Sequence, residues 1–589
     1  MVIHSNMPFP MPRLRAPTVL ALACLTALSS ARGNDVKLPD IGSSAGAIMT
    51  WQDQREYGAA VLHELRGYGL VLDDALINDY INALGYKLVS NSDRPDLPFN
   101  FFVMRDEDIN AFAVPGGYVF AYSGLMTAMA REDDLAAVLA HEISHVTQQH
   151  LLRAFEDMQK MSLPIMLGML GVLIASQHRT DDAGTAAIMT GTSLMQQRQI
   201  NFTRSDEAEA DRVGIQALAR SGYDPLAMAD AFAALQRVMR VNGVDVPEFL
   251  LDHPVDTKRI ADAKARAEHL DCPATAPRVV GTPAGSSGGL NLNLPPAPIP
   301  NAISDADAQA SAVAASEAAT TTIEKASPNE KTLPRVSVHA CGVRDRGGES
   351  YFELMRERAR VLSAKSVVVM RGYYAENLRT NPAFDTPANR YGYALALTFT
   401  REGSAAVVEL RKLLAQKPDT TVFKLALADA LDQAGSVQES LHLYDQLNAD
   451  FPGNRAIAQS YADSLLARGD EKSARRAQEL LRPLVDRYGD DPDLQKSYAR
   501  ACQLAGDKVR AAEAYAEAAY LNGNAEDALN QLKTLSKQPD LTFYQRSRVD
   551  ARITRLTPEV LALRKRGAPD PTSDAPGSLT PRLGCCQKG

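Results

Sequence analysis

The spacing that can do chemistry in this chain is His141-Glu142-Ile143-Ser144-His145. A helix turns once every 3.6 residues, so histidines at i and i+4 leave the same face and can bite a single tetrahedral ion, zinc being the usual one. Glu142 sits beside them without joining that bite. Its carboxylate is free to take a proton from a water that the ion has brought towards a pKa of about 7. A helix with two incidental histidines is the structural alternative. The setting favours the metal reading: Glu132, Asp133 and Asp134 suit a helix start, and Leu135, Val138, Leu139 and Val146 supply an apolar stripe to bury the motif.

Two neutral imidazoles leave zinc short of a third protein ligand, and a carboxylate from a second helix is a common solution. The stretch from Asn201 to Gly214 starts such a helix and contains Asp206-Glu207-Ala208-Glu209-Ala210-Asp211. Glu207 and Glu209 face different ways, whereas Glu207 and Asp211 share a face. Glu207 can then bind metal while Asp211, one turn on, orients a neighbouring histidine. A solvated acidic helix face is the competing reading of the same residues.

Other elements must position this pair of helices. Tyr57, Val61, Leu62, Leu65 and Tyr68, then Leu76, Ile77, Tyr80, Ile81 and Leu84, repeat at three and four and predict two amphipathic helices. Phe99 to Met104 reads as a strand, and Asn110 to Ala121 as two strands around Pro115-Gly116-Gly117. An edge strand there can hold an extended peptide by main-chain hydrogen bonds, which makes Ala113, Val114, Gly116 and Gly117 candidate substrate-binding positions. A hairpin that only packs is the alternative. Residues 161–175 are strongly apolar but shorter than a spanning helix and interrupted by Pro164; a mobile segment near the site, touching membrane, and a plain core helix are both consistent with them.

The totals bound the rest. At 589 residues the chain is too long for one core, and a net charge of −8 offers no basic footprint for nucleic acid. Arg13 and Arg15 precede an apolar run from Val19 to Leu28, then Ser29-Ser30-Ala31, the layout of a cleaved secretory signal over 1–31; a lipoprotein signal acylated at Cys24 is the alternative. Cys272, Cys341, Cys502, Cys585 and Cys586 would remain, with no metal-site spacing; in an oxidising compartment Cys272 and Cys341 are able to pair. Residues 274–334 are rich in Ala, Pro, Ser, Gly and Thr, too poor in apolar surface to form a core, so 271–348 reads as a disordered linker between a domain over 48–270 and another over 349–557. In the latter, turn glycines at Gly403, Gly435, Gly469 and Gly506 and prolines at Pro418 and Pro452 set a period near 34 residues, the tetratricopeptide signature. Stacked repeats offer a concave surface for partners, and 558–589 reads as a mobile tail. The fold class expected is mainly α: a zincin-like domain with a small β-sheet, followed by an α-solenoid.

The His-Glu-x-x-His motif, the later Glu-x-x-x-Asp and the preceding Asn110-Ala111-Phe112-Ala113-Val114-Pro115-Gly116-Gly117 together resemble the gluzincin peptidases that include HtpX, Oma and the CAAX prenyl proteases. Within that family the likeness is to the periplasmic β-barrel assembly-enhancing proteases, which join such a domain to tetratricopeptide repeats; it covers about 48–270 and again from about 350 onward. The resemblance implies one Zn2+ per chain on His141, His145 and Glu207, Glu142 as general base, and Asp211 as the carboxylate behind a ligand. Gln148 and His150 exclude a metzincin pattern, leaving His150 on the helix surface or behind a ligand. It also implies a regulatory role for His253, in Asp252-His253-Pro254-Val255-Asp256-Thr257-Lys258-Arg259, as a fourth ligand that holds the enzyme inactive; a histidine capping the next helix is the alternative. Misassembled outer-membrane proteins as substrates and the barrel-assembly machinery as partner are further implications. A periplasmic chaperone or scaffold with latent proteolysis is the second reading. An integral membrane peptidase would need long apolar spans, which the chain lacks beyond its signal.

Overall fold

Thr50 opens the first helix with a reciprocal capping box: its hydroxyl accepts from the Asp53 amide and its own amide donates to the Asp53 carboxylate. In the computed structural model, residues 49–154, 156, 204–242, 253–270 and 351–565 are described. The expected signal, the apolar run over 161–175, the linker, and Cys272, Cys341, Cys585 and Cys586 lie outside them. Helix α1 (Trp51–Gly67) and α2 (Ala75–Val89) precede β1 (Asn100–Met104), β2 (Ala111–Val114) and β3 (Tyr118–Tyr122). Then follow α3 (Ser123–Ala128), α4 (Glu132–Thr147), α5 (204–220), α6 (Ala227–Asn242) and α7 (Thr257–Ala267).

The sheet order is β1-β3-β2, with β1 parallel and β2 antiparallel to β3, so β2 is an edge. Alternation along the strands sends Phe101, Val103, Val119 and Ala121 into the core shared with α2 and α4. The opposite face is covered too: Phe102, Phe112 and Phe120 stack with centroids 4.9–5.4 Å apart and pack on Leu62, Val61 and Leu65 of α1. Helix α4 lies between the sheet, α2 and α6, and every residue from Asp134 to Ser144 is buried. The expected one-sided stripe is therefore a helix buried all round, with Val146 only half-buried, and this surrounds the motif with low-dielectric packing.

The second half is helix after helix: α8 (Tyr351–Ser363), α9 (Val367–Thr380), α10 (Pro387–Phe399), α11 (Gly403–Gln416), α12 (Thr421–Gln433), α13 (Val437–Asp450), α14 (Arg455–Leu466), α15 (Glu471–Arg487), α16 (Pro492–Leu504), α17 (Lys508–Leu521), α18 (Ala525–Ser536) and α19 (Phe543–Lys565). From α10 onward successive members pack on one another, with Ala428, Ala462 and Ala499 fully buried. Left-handed backbone falls at Gly435, Gly469 and Gly506, as a turn requires, but not at Gly403. There the left-handed residue is Arg401, with φ 63°, which makes the intervals 34 (435−401), 34 (469−435) and 37 (506−469). Gly403 is needed for space instead: a Cβ would stand 2.7 Å from the Ala434 amide nitrogen. The last helix runs on to Lys565 with Val560 buried, eight residues beyond the boundary expected at 557 (565−557).

The repeats fold back onto the first domain through arginines. Arg358 of α8 makes a bidentate pair with Asp74 at 2.7 and 2.8 Å, and Asp74 also caps α2 by accepting from the Ile77 amide. Arg455 of α14 bridges Asp79 of α2 and Asp491 at 2.8 and 3.0 Å. Arg66 of α1 pairs with Asp73 and donates to the Asp490 carbonyl.

Candidate metal centre

Helix α5 crosses α4 where Gly214 meets Ala140 and His141; a Cβ at 214 would lie 3.1 Å from the Ala140 carbonyl oxygen. That close approach, one and two turns beyond Asp211 and Glu207, lays both carboxylates against the motif histidines. His141 Nδ1 stands 2.9 Å from Asp211 Oδ1, an ion-pair contact that turns its Nε2 inward. His141 Nε2 and His145 Nε2 are 3.0 Å apart, and each is 3.4 Å from a Glu207 oxygen. Inside the same cluster stands His253, its Nδ1 2.9 Å from Glu207 and 3.4 Å from His141 Nε2. One donor atom from each of these four residues lies within 4.8 Å of the others.

Helix α7 closes the site from behind. The Arg259 guanidinium grips both Asp211 oxygens at 2.8 and 2.9 Å, reaches Glu207 at 2.7 Å, and lies 4.7 Å over the Phe232 ring of α6. Asp256, which caps α7 by accepting from the Arg259 amide, holds this arginine in register with His253. Arg259 is the residue that sequence reasoning passed over. Its signal was present, six positions after His253 in the quoted stretch, but nothing in a linear pattern says that it turns back to two carboxylates.

Electrostatics follow from burial and charge. Burial opposes a proton on His141, but Asp211 and Glu207 outweigh it and raise its pKa to about 10. His145 is pulled to about 3 by burial, against the Glu207 contact. Although burial pushes Glu207 up, His141, His145 and His253 hold it far below the carboxylate range. Glu142 goes the other way: burial raises its pKa, with His253 and His141 only partly compensating. Its Oε1 is buried without a hydrogen-bond partner, 3.6 Å from His253 Nε2. Two imidazole Nε2 atoms turned inward beside Glu207, with the Glu142 carboxylate next to them, fit a zinc ion, which would displace any proton from those nitrogens, with a general base beside it.

Other predicted positions fare differently. Ala113 and Val114 lie half-buried on edge strand β2, which packs on α4. Gly116 and Gly117 are buried in a left-handed turn, where Cβ atoms would stand 2.8 Å from Arg55 Cα and 3.2 Å from the Pro98 carbonyl carbon, so both have a packing role there. His150 is buried against the far side of His145, Nδ1 to Nδ1 at 3.0 Å, and Cys502 is a buried free thiol.

Two helical histidines, one buried and one half-buried, a carboxylate from a crossing helix and a second carboxylate outside the donor cluster make the donor set of a metallopeptidase domain. Comparison with known proteins agrees: residues 75–267 match the family model of Peptidase family M48. The β-barrel assembly-enhancing protease of Escherichia coli K12 is 41% identical over 233 residues, 40% of this chain and 47% of that protein. That of Yersinia pestis is 40% identical over 239 residues, 41% of this chain and 49% of its own length. The mitochondrial metalloendopeptidase OMA1 of Schizosaccharomyces pombe is 26% identical over 200 residues, 33% of this chain and 56% of that one. The chain thus spans about half the length of the curated relatives it matches. Among the described residues no helix is long and apolar enough to cross a membrane.

Proposed function

We propose that the chain is an exported zinc endopeptidase held in a latched state. The observation that carries the reading is the buried Glu142 carboxylate, its Oε1 without a hydrogen bond, beside three convergent donors, His141, His145 and Glu207. Zinc, when bound there, would polarise the scissile carbonyl and acidify the attacking water. Glu142 takes the proton from that water and passes it to the leaving amine; its raised pKa suits a group that must hold the proton between the two steps. His141, His145 and Glu207 would hold the ion and move no proton. Asp211 accepts the His141 Nδ1 proton and so keeps Nε2 free to ligate. The edge strand at Ala113 and Val114 would pair with an extended peptide.

His253 is the latch. It occupies the space between Glu142 and the donors, so substrate and latch compete for one place. The name of the bacterial relatives, β-barrel assembly-enhancing protease, supports a role around β-barrel assembly; within it we read unfolded or misassembled outer-membrane proteins as substrates, the periplasm as the compartment, and the barrel-assembly machinery as a partner of the repeats, taken as tetratricopeptide units. Peripheral membrane contact through 161–175 belongs to the same proposal. Zinc content and casein cleavage test it: about one zinc per chain and cleavage abolished by Glu142→Gln are expected, and a protein without zinc would end the proposal.

The occupied latch also favours a second reading, a periplasmic scaffold in which the repeats bind clients and proteolysis is latent. In a strain lacking the gene, full rescue by Glu142→Gln would favour the scaffold, and rescue lost with that single change the peptidase.

A further inference from the structure

Asp211 fixes His141, but no sequence motif says what fixes the other imidazole. Helix α4 ends at Thr147, and Gln149 follows with φ 57°, in the left-handed region that a glutamine rarely adopts. That turn redirects the chain. In a continuing helix residue 150 would sit well round the cylinder from residue 145; here its ring comes back to lie across the His145 ring, centroids 4.7 Å apart, with Nδ1 facing Nδ1 at 3.0 Å. Only one hydrogen fits between two such nitrogens. His145 must present Nε2 as a bare lone pair to ligate, so its proton belongs on Nδ1, and His150 Nδ1 is then the acceptor. The far nitrogen of His150 carries a proton of its own and points to Glu209 Oε2 at 3.3 Å. Glu209 is in turn held by Arg153 at 2.7 Å, and the same guanidinium approaches Asp206 at 3.5 Å. With that arginine between the two carboxylates, the group is arranged as a support and not as a second cation site.

We propose that His150, set by Glu209 and Arg153, is the positioning residue for His145, fixing its tautomer and ring orientation as Asp211 does for His141. The inference rests on the zinc reading above. Its test is zinc affinity, measured by chelator competition on the full-length protein, with thermal unfolding of the metal-free form alongside. His150→Phe keeps the ring volume but removes the acceptor, and weakens zinc binding about 10–100-fold, the usual effect of losing a partner behind a ligand. His150→Asn places Oδ1 where Nδ1 stood, keeps an acceptor for the His145 proton, and recovers most of that loss. Zinc affinity of His150→Phe within twofold of the parent overturns the proposal, and so does His150→Asn performing no better than His150→Phe. Absence of zinc from the parent itself would remove the underlying reading instead, which keeps the two failures apart.

Discussion

At the scale of single residues, the motif was legible because helical spacing alone puts His141 and His145 on one face, and the second carboxylate pair because Glu207 and Asp211 are four apart. The role of His150 was not legible: it depends on a left-handed Gln149, and no propensity places that conformation on glutamine. Arg259 escaped for a similar reason, since its partners lie 48 and 52 residues away in sequence (259−211 and 259−207). The two carboxylates it binds give it a measurable weight. Arg259→Ala leaves Asp211 and Glu207 buried without their cation, and is expected to destabilise the metal-free protein by about 3 kcal/mol or more in denaturant titration. Asp211→Asn keeps the size of the side chain but accepts the His141 proton less strongly. Zinc affinity about 10–100-fold below the parent by chelator competition is expected, with the fold retained by circular dichroism.

At the scale of elements, the strands, the Pro-Gly-Gly turn and the paired helices all followed from periodicity, because each buries one face against a neighbour. What periodicity does not carry is how closely two helices approach. Gly214 lies at the crossing of α5 over α4, and the gap there is too tight for a branched side chain. Gly214→Val should push the helices apart, cost about 1–3 kcal/mol, and lower zinc occupancy measured by metal analysis, because Glu207 and Asp211 move with α5. The repeat period shows the converse error. Gly403 looked like a turn glycine, yet the turn falls two residues earlier on Arg401, and the glycine is there for the space beside Ala434. Arg401→Gly relieves a left-handed arginine and should raise the melting temperature by an amount equivalent to about 1 kcal/mol. A lower melting temperature would mean that the Arg401 side chain contributes more than its backbone strain costs.

At the scale of the whole molecule, composition predicted two folded halves and a linker, but not that the halves would clasp. The clasp is made by partly buried arginine–aspartate pairs whose partners are hundreds of residues apart, and no local pattern encodes such pairing. A second seam adds pH dependence: the half-buried His63 of α1 lies edge-on to Tyr520 of α17, centroids 4.6 Å apart. Burial, with Arg66 and Arg552 nearby, lowers its pKa from 6.5 to about 4. Between those values the unfolded chain binds a proton that the folded chain refuses, so stability is full above pH 6.5 and declines as the pH falls towards 4. His63→Gln should flatten that part of the stability profile, measured by urea unfolding at several pH values; an unchanged slope would remove His63 as its source.

The central claim is a competent peptidase site closed by its own histidine. Its most direct measurement is casein hydrolysis by the zinc-loaded His253→Ala protein, beside the parent and the Glu142→Gln, His253→Ala double variant. Faster cleavage by His253→Ala than by the parent, abolished in the double variant, is the predicted result. Cleavage no faster than the parent's, or cleavage that survives loss of Glu142, would contradict the account.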